Sequence, residues 1–344
     1  MSGLALASIL TLVKVTELGE FALIERLKRA CETRGVDAAG EVLGVSLSVR
    51  IGDDAAAWRS AAITEVGTTD TVVEGVHFTR TTTQWRDLGW KLMAANVSDI
   101  AAMGALPLYA LVTLGLPPET QVEDIDALYE GMLDCCAEYG VVITGGDIVR
   151  SGTFFATVAL NGATELALLL RSTAKPGDII GVTGPVGASG GGLEVLLKKA
   201  RVDDVLARPL IQAHRHPRPQ IAAGRALTKA GVRAAMDISD GLAADLAKLA
   251  GASGHAAILY AARLPMLDEL VKAFPERHLD LALNGGEDYQ LLFAAPPDVA
   301  ERAVDTVPGA ALIGEMEAGP PGQVTMVDAK GRTTLPKIEG WKHF

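Results

Sequence analysis

Aspartates recur in this sequence where apolar strands or helices end beside Gly, Ser or Thr. The pattern occurs in the segments IGDD, GTTD, NVSD, TGGD and DISD, with carboxylates at Asp53, Asp54, Asp70, Asp99, Asp147, Asp237 and Asp240. Each one alone fits ordinary turn chemistry, because Asp and Gly are common at strand ends and helix caps. Together they indicate a site, since the elements of an α/β fold deliver such ends to one crevice.

Asp99 shows most clearly what chemistry such a site needs. It lies near the end of the helical run WRDLGWKLMAANVSDIAAMGA, with no Lys or Arg within one turn. A carboxylate in apolar surroundings protonates or finds a positive partner. We expect that partner to be Mg²⁺, which prefers hard oxygen ligands such as Asp beside Ser or Thr. Mg²⁺ usually takes one or two carboxylates, so the set predicts several ions.

Other classes of function are disfavoured by charge and composition. The 344 residues carry a formal charge of −11, which argues against nucleic acid as a partner. The three cysteines lack CxxC spacing, and the histidines lack the close spacing of a zinc site. No HExxH motif and no Cys/His arrangement for covalent catalysis is present, so we expect no catalytic nucleophile in the chain. GPVGASGGGLEVLL lacks the GK[ST] of a Walker A motif, so a phosphate loop and a plain strand-to-helix turn both remain open.

The first residues, MSGLALASILTLVKV, contain a short apolar run without a basic region before it. The run is too short to span a bilayer. We interpret residues 1–16 as an extension ahead of the domains rather than a signal peptide, and expect a cytoplasmic protein with no membrane contact.

Along the rest of the chain, segments with the apolar pattern of a strand alternate with segments that have the pattern of a helix, which is typical of an α/β fold. Apolar runs such as LYALVTLGL and FATVALNGAT predict strands, and VEDIDALYEGMLDCCAEYG predicts a helix. LALNGGEDYQLLFAA is also predicted to be a strand. The pattern restarts near residue 165, so we predict an N-terminal domain over 17–164 and a C-terminal α/β domain over 165–344.

Several segments together have a more specific pattern. They are GEFALIERL, IGDDAA, TTDTVVEGVHF, KLMAANVSDIAAMGA, ITGGD, RSTAKPGD, DISDGLAADL, NGGEDYQLLF and GWKHF, in this order. The series resembles the thiamine-monophosphate kinases, of the superfamily that includes aminoimidazole ribonucleotide synthetase and selenophosphate synthetase. The resemblance implies the two-domain aminoimidazole ribonucleotide synthetase-like fold with mixed sheets. It also implies a homodimer in which the N-terminal domains pair through their sheets.

The resemblance assigns roles to residues that match its motifs. Implied metal ligands are Asp53, Asp54, Thr68, Thr69, Asp70, Asp99, Asp147, Asp237 and Asp240. Implied ATP contacts are Tyr129, Gly146, Asp147, Arg171 and Ser239. Implied contacts to the thiamine moiety are His77, Glu287 and an aromatic residue near the C-terminus. A position there that can be aromatic in the family is Ile338 here, which leaves Trp341 as the stacking group.

Some of these residues could instead have ordinary structural roles. Arg171 fits a solvated linker arginine as well as a phosphate clamp, and His77 fits a buried structural histidine. Trp341 fits a C-terminal anchor packed on the second domain. The chain also departs from the family before TTD, where Glu65 and Gly67 interrupt the usual apolar strand.

The implied reaction is ATP-dependent phosphorylation of thiamine monophosphate to thiamine diphosphate. The acceptor is a phosphate monoester with a second pKa of about 6, so it is largely dianionic and needs no general base. We therefore expect direct in-line transfer of the γ-phosphoryl group, assisted by several Mg²⁺ ions. The competing hypotheses are another ATP-using enzyme of the same superfamily and a non-catalytic sensor of thiamine phosphates or nucleotides.

Overall fold

The computed structural model describes residues 13–18, 20–34, 44–49, 57–60, 63–198 and 200–338. Two separate sheets organise most of this part of the chain, one in each half. The N-terminal half contains α1 (Val15–Leu18), α2 (Glu20–Arg34), β1 (Ser46–Val49), β2 (Ala57–Arg59), β3 (Thr64–Val73), α3 (Trp85–Ala102), β4 (Leu106–Leu116), α4 (Val122–Tyr139), β5 (Val142–Arg150) and β6 (Phe155–Thr164). Strands β1 and β2 pair with each other, apart from the four-stranded sheet that the remaining strands form.

The strand order of the first sheet is β3-β6-β4-β5, and β4 and β5 are the parallel pair. Strand β3 runs unbroken through Glu65 and Gly67, because an exposed edge strand needs no continuous apolar face. Helix α3 packs on β3 and β6, and α4 packs on α3. The two helices approach backbone to backbone at Gly89 and Gly131, where a Cβ would lie 1.9 Å from the carbonyl oxygen of Leu128 and 1.8 Å from that of Arg86.

The C-terminal half is built on a seven-stranded mixed sheet with the order β13-β12-β9-β11-β7-β10-β8. Its strands are β7 (Ile179–Val182), β8 (Ala234–Asp237), β9 (Ala256–Tyr260), β10 (Leu291–Ala295), β11 (Ala311–Glu317), β12 (Val324–Val327) and β13 (Thr333–Thr334). Its helices are α5 (Ala188–Leu196), α6 (Asp204–Arg215), α7 (Ile221–Ala230), α8 (Leu242–Ala252), α9 (Asp268–Ala273), α10 (His278–Asn284) and α11 (Pro297–Thr306), with a 3₁₀ turn at Ala261–Arg263. Only β9 and β12 pair in parallel among the described strands of this sheet.

Helix α3 joins the two halves. Its last residues, Ala101 and Ala102, belong to an apolar cluster with α7, β10 and α11. Gly224 of α7 lies so close that a Cβ there would meet the carbonyl oxygen of Ala101 at 2.2 Å. The helix that carries Asp99 is therefore packed on both halves of the chain.

One strand prediction is wrong. In LALNGGEDYQLLFAA the first residues form α10, and only Leu291–Ala295 form a strand, β10. Leu281, Ala282 and Leu283 are buried as consecutive helical residues. The turn between the two elements has left-handed backbone at Gly286, Glu287 and Tyr289, and these residues change the direction of the chain after the helix.

The predicted domain boundary at 164/165 stays a prediction; the first sheet ends at Thr164 and the second begins at Ile179. None of the helices in the described ranges is both long enough and apolar enough to cross a lipid bilayer.

Candidate active site

Strand β3 contributes two polar side chains to the face that α3 covers. Thr68 and Asp70 lie two residues apart and are half-buried, as the alternation of a strand requires. Thr69 lies between them and is exposed on the other face of the sheet. Of the predicted ligands in TTD, the structure therefore brings Thr68 and Asp70 together and separates Thr69 from them.

The end of α3 links the two halves of the site through hydroxyl groups. The Thr68 hydroxyl donates a hydrogen bond to Asp99 Oδ2. Ser98 Oγ donates to Asp237 Oδ2 at 2.8 Å, and Asp237 is the last residue of β8. Adjacent residues of one helix thus contact β3 on one side and β8 on the other.

Asp70, Asp99 and Asp237 form what we call the carboxylate cluster. Burial raises the pKa of Asp70 to about 6, and the charge of Asp99 adds to the shift. Burial raises the pKa of Asp99, against the opposing effects of the Thr68 hydrogen bond and the charge of Arg171. Burial also raises the pKa of Asp237 to about 7, with repulsion from Asp99 as the next cause. Within the described residues none of the three forms an ion pair, and Arg171 acts on Asp99 only from a longer distance.

The chemistry of this donor set fits Mg²⁺. Its atoms are carboxylate and hydroxyl oxygens, which are the hard ligands that this ion prefers. No group of three or more His, Cys, Asp or Glu side chains in the described ranges is arranged so that it could hold a metal ion by itself. An ion at the cluster would therefore take one or two carboxylates, and waters and phosphates would fill its other positions. Asp53 and Asp54, the other predicted ligands, lie outside the described residues.

Asp240 differs from the cluster because it has a cation of its own. It forms an ion pair with Lys248 of α8, which also binds Asp245 at 2.7 Å. Asp245 is fully buried and accepts hydrogen bonds from the backbone N–H groups of Ser239 at 3.0 Å and Asp240 at 2.9 Å. Asp245 therefore holds the turn that follows β8, a role that the sequence analysis missed. The available signal was an acidic residue inside the apolar run GLAADLAKLA, three positions before a lysine.

The GGEDY turn lies directly against the DISD turn because β8 and β10 are antiparallel neighbours. The N–H of Glu287 donates to the carbonyl oxygen of Ser239 at 2.7 Å. Glu287 has a φ of 56°, a strained value for a residue other than glycine. The structure thereby brings the predicted ATP contact Ser239 beside the predicted thiamine contact Glu287.

His77 lies within electrostatic range of Glu287 and contributes to lowering the pKa of that carboxyl group. Its Nδ1 accepts a hydrogen bond from the N–H of Val73 at 3.1 Å, which leaves the ring proton on Nε2 in the neutral form. Glu287 also binds Lys91 of α3 at 2.8 Å, a residue that the sequence analysis did not single out.

Backbone N–H groups of the Gly-rich segment at the start of α5 bind a carboxylate of the protein itself. Asp288 accepts hydrogen bonds from the N–H groups of Gly187 at 2.7 Å and Ser189 at 3.3 Å. Burial raises the pKa of Asp288 to about 7, against these two hydrogen bonds. Of the two interpretations of this segment, the plain strand-to-helix turn fits these contacts.

Asp147 and Gly146 are not brought to the carboxylate cluster within one chain. They lie on β5, and β6 and β4 separate that strand from β3, a span on the order of 14 Å. Asp147 is exposed, and its carboxylate accepts a hydrogen bond from the N–H of Ile148 at 2.9 Å. Gly146 allows β4 to approach, since a Cβ there would lie 1.8 Å from the carbonyl oxygen of Val112.

The remaining predicted residues are dispersed. Tyr129 is buried against α2 in the first core, and burial raises the pKa of its hydroxyl group well above its usual range. Arg171 is exposed in the linker, and its carbonyl oxygen accepts from Ser253 Oγ at 2.7 Å. Ile338 is exposed, and Trp341 lies outside the described residues. The roles of these residues stay predictions.

Comparison with known proteins identifies relatives for both halves. The family model of the AIR synthase related protein N-terminal domain matches residues 52–164, and that of the C-terminal domain matches residues 175–327. Thiamine-monophosphate kinase from Aquifex aeolicus is 36% identical over 336 residues, covering 96% of this chain and 100% of that protein. Thiamine-monophosphate kinase from Escherichia coli K12 is 34% identical over 335 residues, covering 95% and 98%.

Solved structures agree with these sequence relatives. AaThiL complexed with AMPPCP and TMP has a TM-score of 0.74 and 33% identity, covering 96% of this chain and 99% of that one. Hydrogenase maturation protein HypE in complex with ATP has a TM-score of 0.75 at 20% identity, covering 95% of this chain and 98% of that one, which shows a shared fold alone. The two-domain fold with mixed sheets predicted from the sequence is confirmed. The chain belongs to the thiamine-monophosphate kinase family, within the AIR synthase related proteins.

Proposed function

We propose that this chain transfers the γ-phosphoryl group of ATP to thiamine monophosphate, giving ADP and thiamine diphosphate, with several Mg²⁺ ions. The carboxylate cluster carries the proposal. Its half-buried and buried carboxylates have raised pKa values and no ion pair within the described residues, which suits a site that gathers divalent cations and phosphates. The names of the relatives and the AMPPCP and TMP bound to AaThiL support the identity of the two substrates.

The roles of the residues follow from their hydrogen bonds. Asp70, Asp99 and Asp237 supply the oxygen ligands, and Mg²⁺ bound there would neutralise the charge of the two polyanionic substrates. The hydroxyl groups of Thr68 and Ser98 each donate to one of these carboxylates and fix its orientation. Arg171 lies within electrostatic range of Asp99, and in this proposal its guanidinium group pairs with a phosphate group.

The dianionic acceptor can attack the γ-phosphorus directly, so the mechanism needs neither a general base nor a covalent enzyme intermediate. This fits the residues around the cluster. Its nearest hydroxyl groups, Thr68 and Ser98, are engaged with carboxylates rather than with a histidine that would activate them. Transfer is then in-line, with catalysis from positioning and charge neutralisation.

A homodimer is the second part of the proposal. Leu111 and Val149, on β4 and β5, are 39% and 38% exposed, which is high for large apolar side chains on a sheet. Pairing of this face with a second copy would cover them and would bring the exposed Asp147 of β5 near a partner sheet. Sedimentation equilibrium should give twice the chain mass, and a Leu111→Asp substitution should give the monomer. A monomeric wild-type chain would refute this part.

The proposed location is the cytoplasm, where ATP is available, and the three buried free thiols of Cys31, Cys135 and Cys136 suit a reducing compartment.

The decisive experiment is to incubate the purified chain with ATP, Mg²⁺ and thiamine monophosphate and to follow the products by chromatography. ADP and thiamine diphosphate should form in equal amounts, and omission of Mg²⁺ should abolish both. Tight binding of both substrates without product would favour the sensor. Failure to bind thiamine monophosphate, with ATP still bound, would favour another ATP-using enzyme of the superfamily.

A further inference from the structure

Lys91 is a buried lysine that the proposed mechanism does not use. It is 8% exposed and lies on α3 two turns before Asp99, on the same face of the helix. Its Nζ lies 2.8 Å from Glu287 Oε2 and 3.2 Å from His214 Nε2. A lysine loses much hydration free energy when it is buried, so this position requires that its partners be fixed.

His214, at the end of α6, completes the group and is 4% exposed. Burial, followed by the charge of Lys91, lowers the pKa of its imidazole to about 4, so the ring is neutral at pH 7. A lysine ammonium can only donate, so His214 Nε2 must accept and the ring proton must lie on Nδ1. That proton faces Ser189 Oγ at 3.1 Å and Glu287 Oε2 at 3.5 Å. Ring orientation and tautomer are thus both determined.

Glu287 receives these contacts through one oxygen only. Oε2 binds Lys91 at 2.8 Å and lies 3.5 Å from His214 Nδ1, so both of these contacts are made to the same carboxylate oxygen. The side chain of Glu287 is 35% exposed, so it remains accessible to a ligand. Lys91 and His214 also lower the pKa of Glu287 against the effect of burial, which keeps the carboxylate ionised.

The backbone of Glu287 is also held in one conformation. Glu287 is held in left-handed conformation, and its N–H is fixed by Ser239. Strain of this kind persists only where surrounding contacts over-determine it, and it is concentrated at binding sites. Backbone and side chain together therefore aim one carboxylate oxygen in a fixed direction beside the DISD turn.

We propose that Lys91, together with His214, is a positioning residue for the acceptor substrate. It holds Glu287 ionised and oriented so that Oε1 binds the organic part of the acceptor, a cationic heterocycle or its amino group. The inference rests on the proposed function, and it adds the residues that determine acceptor recognition. Lys91 acts through Glu287 and does not touch the transferred phosphoryl group.

The test is a double-mutant cycle with steady-state kinetics and with calorimetric binding of thiamine monophosphate. Lys91→Met should raise the KM for thiamine monophosphate by about tenfold, as expected for losing a charged hydrogen bond, and should leave the KM for ATP unchanged. Glu287→Gln should have a similar effect. Lys91→Met made in the Glu287→Gln background should add nothing, because the group through which Lys91 acts is gone.

Lys272→Met is the matched control, since Lys272 pairs with Asp268 on the exposed surface of α9. It should change neither KM. If Lys91→Met does not fold, His214→Gln takes its place in the same cycle and should show the same selective effect on the acceptor.

Two outcomes would overturn the inference while leaving the kinase proposal intact. In one, Lys91→Met raises both KM values or lowers kcat alone, as a merely structural tie between the two halves would. In the other, its effect persists undiminished in the Glu287→Gln background. Failure of the wild-type chain to bind or phosphorylate thiamine monophosphate would instead refute the proposed function itself.

Discussion

Two sets of acidic side chains meet at this site, and they differ in where their neutralising charge comes from. Asp240, Asp245 and Glu287 each contact a lysine of the chain, either Lys248 or Lys91. Asp70, Asp99 and Asp237, the carboxylate cluster, have no ion-pair partner within the described residues. Both sets are held by the same few elements: the middle of β3, the ends of α3 and β8, the first turn of α8 and the two turns beside β8.

The difference separates carboxylates whose charge the fold itself neutralises from carboxylates that are left for a bound cation. A carboxylate with its own lysine and hydrogen-bond donors is a rigid part of the fold, since removing one partner leaves the other buried and unpaired. A carboxylate without a cation is destabilising to the chain alone and becomes favourable when a cation is bound. Four predictions test this comparison.

The largest effect is expected from Asp99→Asn. It removes a negative charge and a ligand from the cluster, so activity should fall by ~10²–10³-fold or more. The same substitution relieves repulsion with Asp70 and Asp237 and should leave the fold as stable as the wild type, or more stable, when Mg²⁺ is absent. Turnover and thermal unfolding, each with and without Mg²⁺, are the measurements. Near-normal turnover across Mg²⁺ concentrations would contradict the assignment of Asp99 as a metal ligand.

Asp245→Ala should act on stability in the opposite direction. It leaves two N–H groups of the DISD turn without their acceptor and removes a buried partner of Lys248. We expect a loss of about 2–3 kcal/mol in the free energy of unfolding, mostly from the unpaired N–H groups, since Lys248 is 43% exposed and its pairing is screened.

Asp268→Ala, which removes an exposed pair with Lys272, is the control for Asp245→Ala and should cost about 0.5 kcal/mol or less in urea unfolding. Equal losses in the two variants would show that Asp245 has no special role in holding the turn.

We expect the free energy of unfolding to depend on pH through His214. Its pKa is about 4 in the fold against an ordinary value of 6.5, so the unfolded chain binds the proton first on acidification. The contribution of the neutral ring is fully present above pH 6.5 and is lost as pH falls toward 4, by ~1.4 kcal/mol per pH unit. Lys91, Glu287 and Arg215 are the charged groups that interact with it.

The measurement for His214 is urea unfolding of the wild type and His214→Gln at pH 7.5 and pH 5. The stability difference between the two proteins should shrink or reverse at pH 5. A constant difference between wild type and His214→Gln would mean that the ring is not held neutral.

The smallest effect distinguishes neighbouring residues of β3. Thr68→Val removes the hydroxyl group that binds Asp99 and should lower activity by about tenfold. Thr69→Val removes an exposed hydroxyl group on the other face and should change activity little. Kinetics of the two isosteric variants at limiting Mg²⁺ would decide. A larger effect at Thr69 would restore its predicted role as a metal ligand and would place a second site on the outer face of the sheet.

The sequence by itself determined the fold class and the identity of the acidic residues. Helical spacing around Asp99, alternation in TTD and the apolar runs before GGD and DISD are local patterns, and local patterns fix element type and which side chains share a face. The absence of a Lys or Arg near Asp99 in the chain was also a local observation, and it led to the metal hypothesis.

Only the tertiary structure decided which acidic side chains have a lysine as an ion-pair partner and which do not. Lys91 and Glu287 are 196 residues apart in the sequence, and no local pattern pairs them. The strand order of the first sheet likewise places Asp147 at the edge opposite Asp70, although both follow similar motifs. Pairing and strand order depend on contacts between distant segments, so residue type and spacing give the chemistry available, and packing determines which of these groups meet.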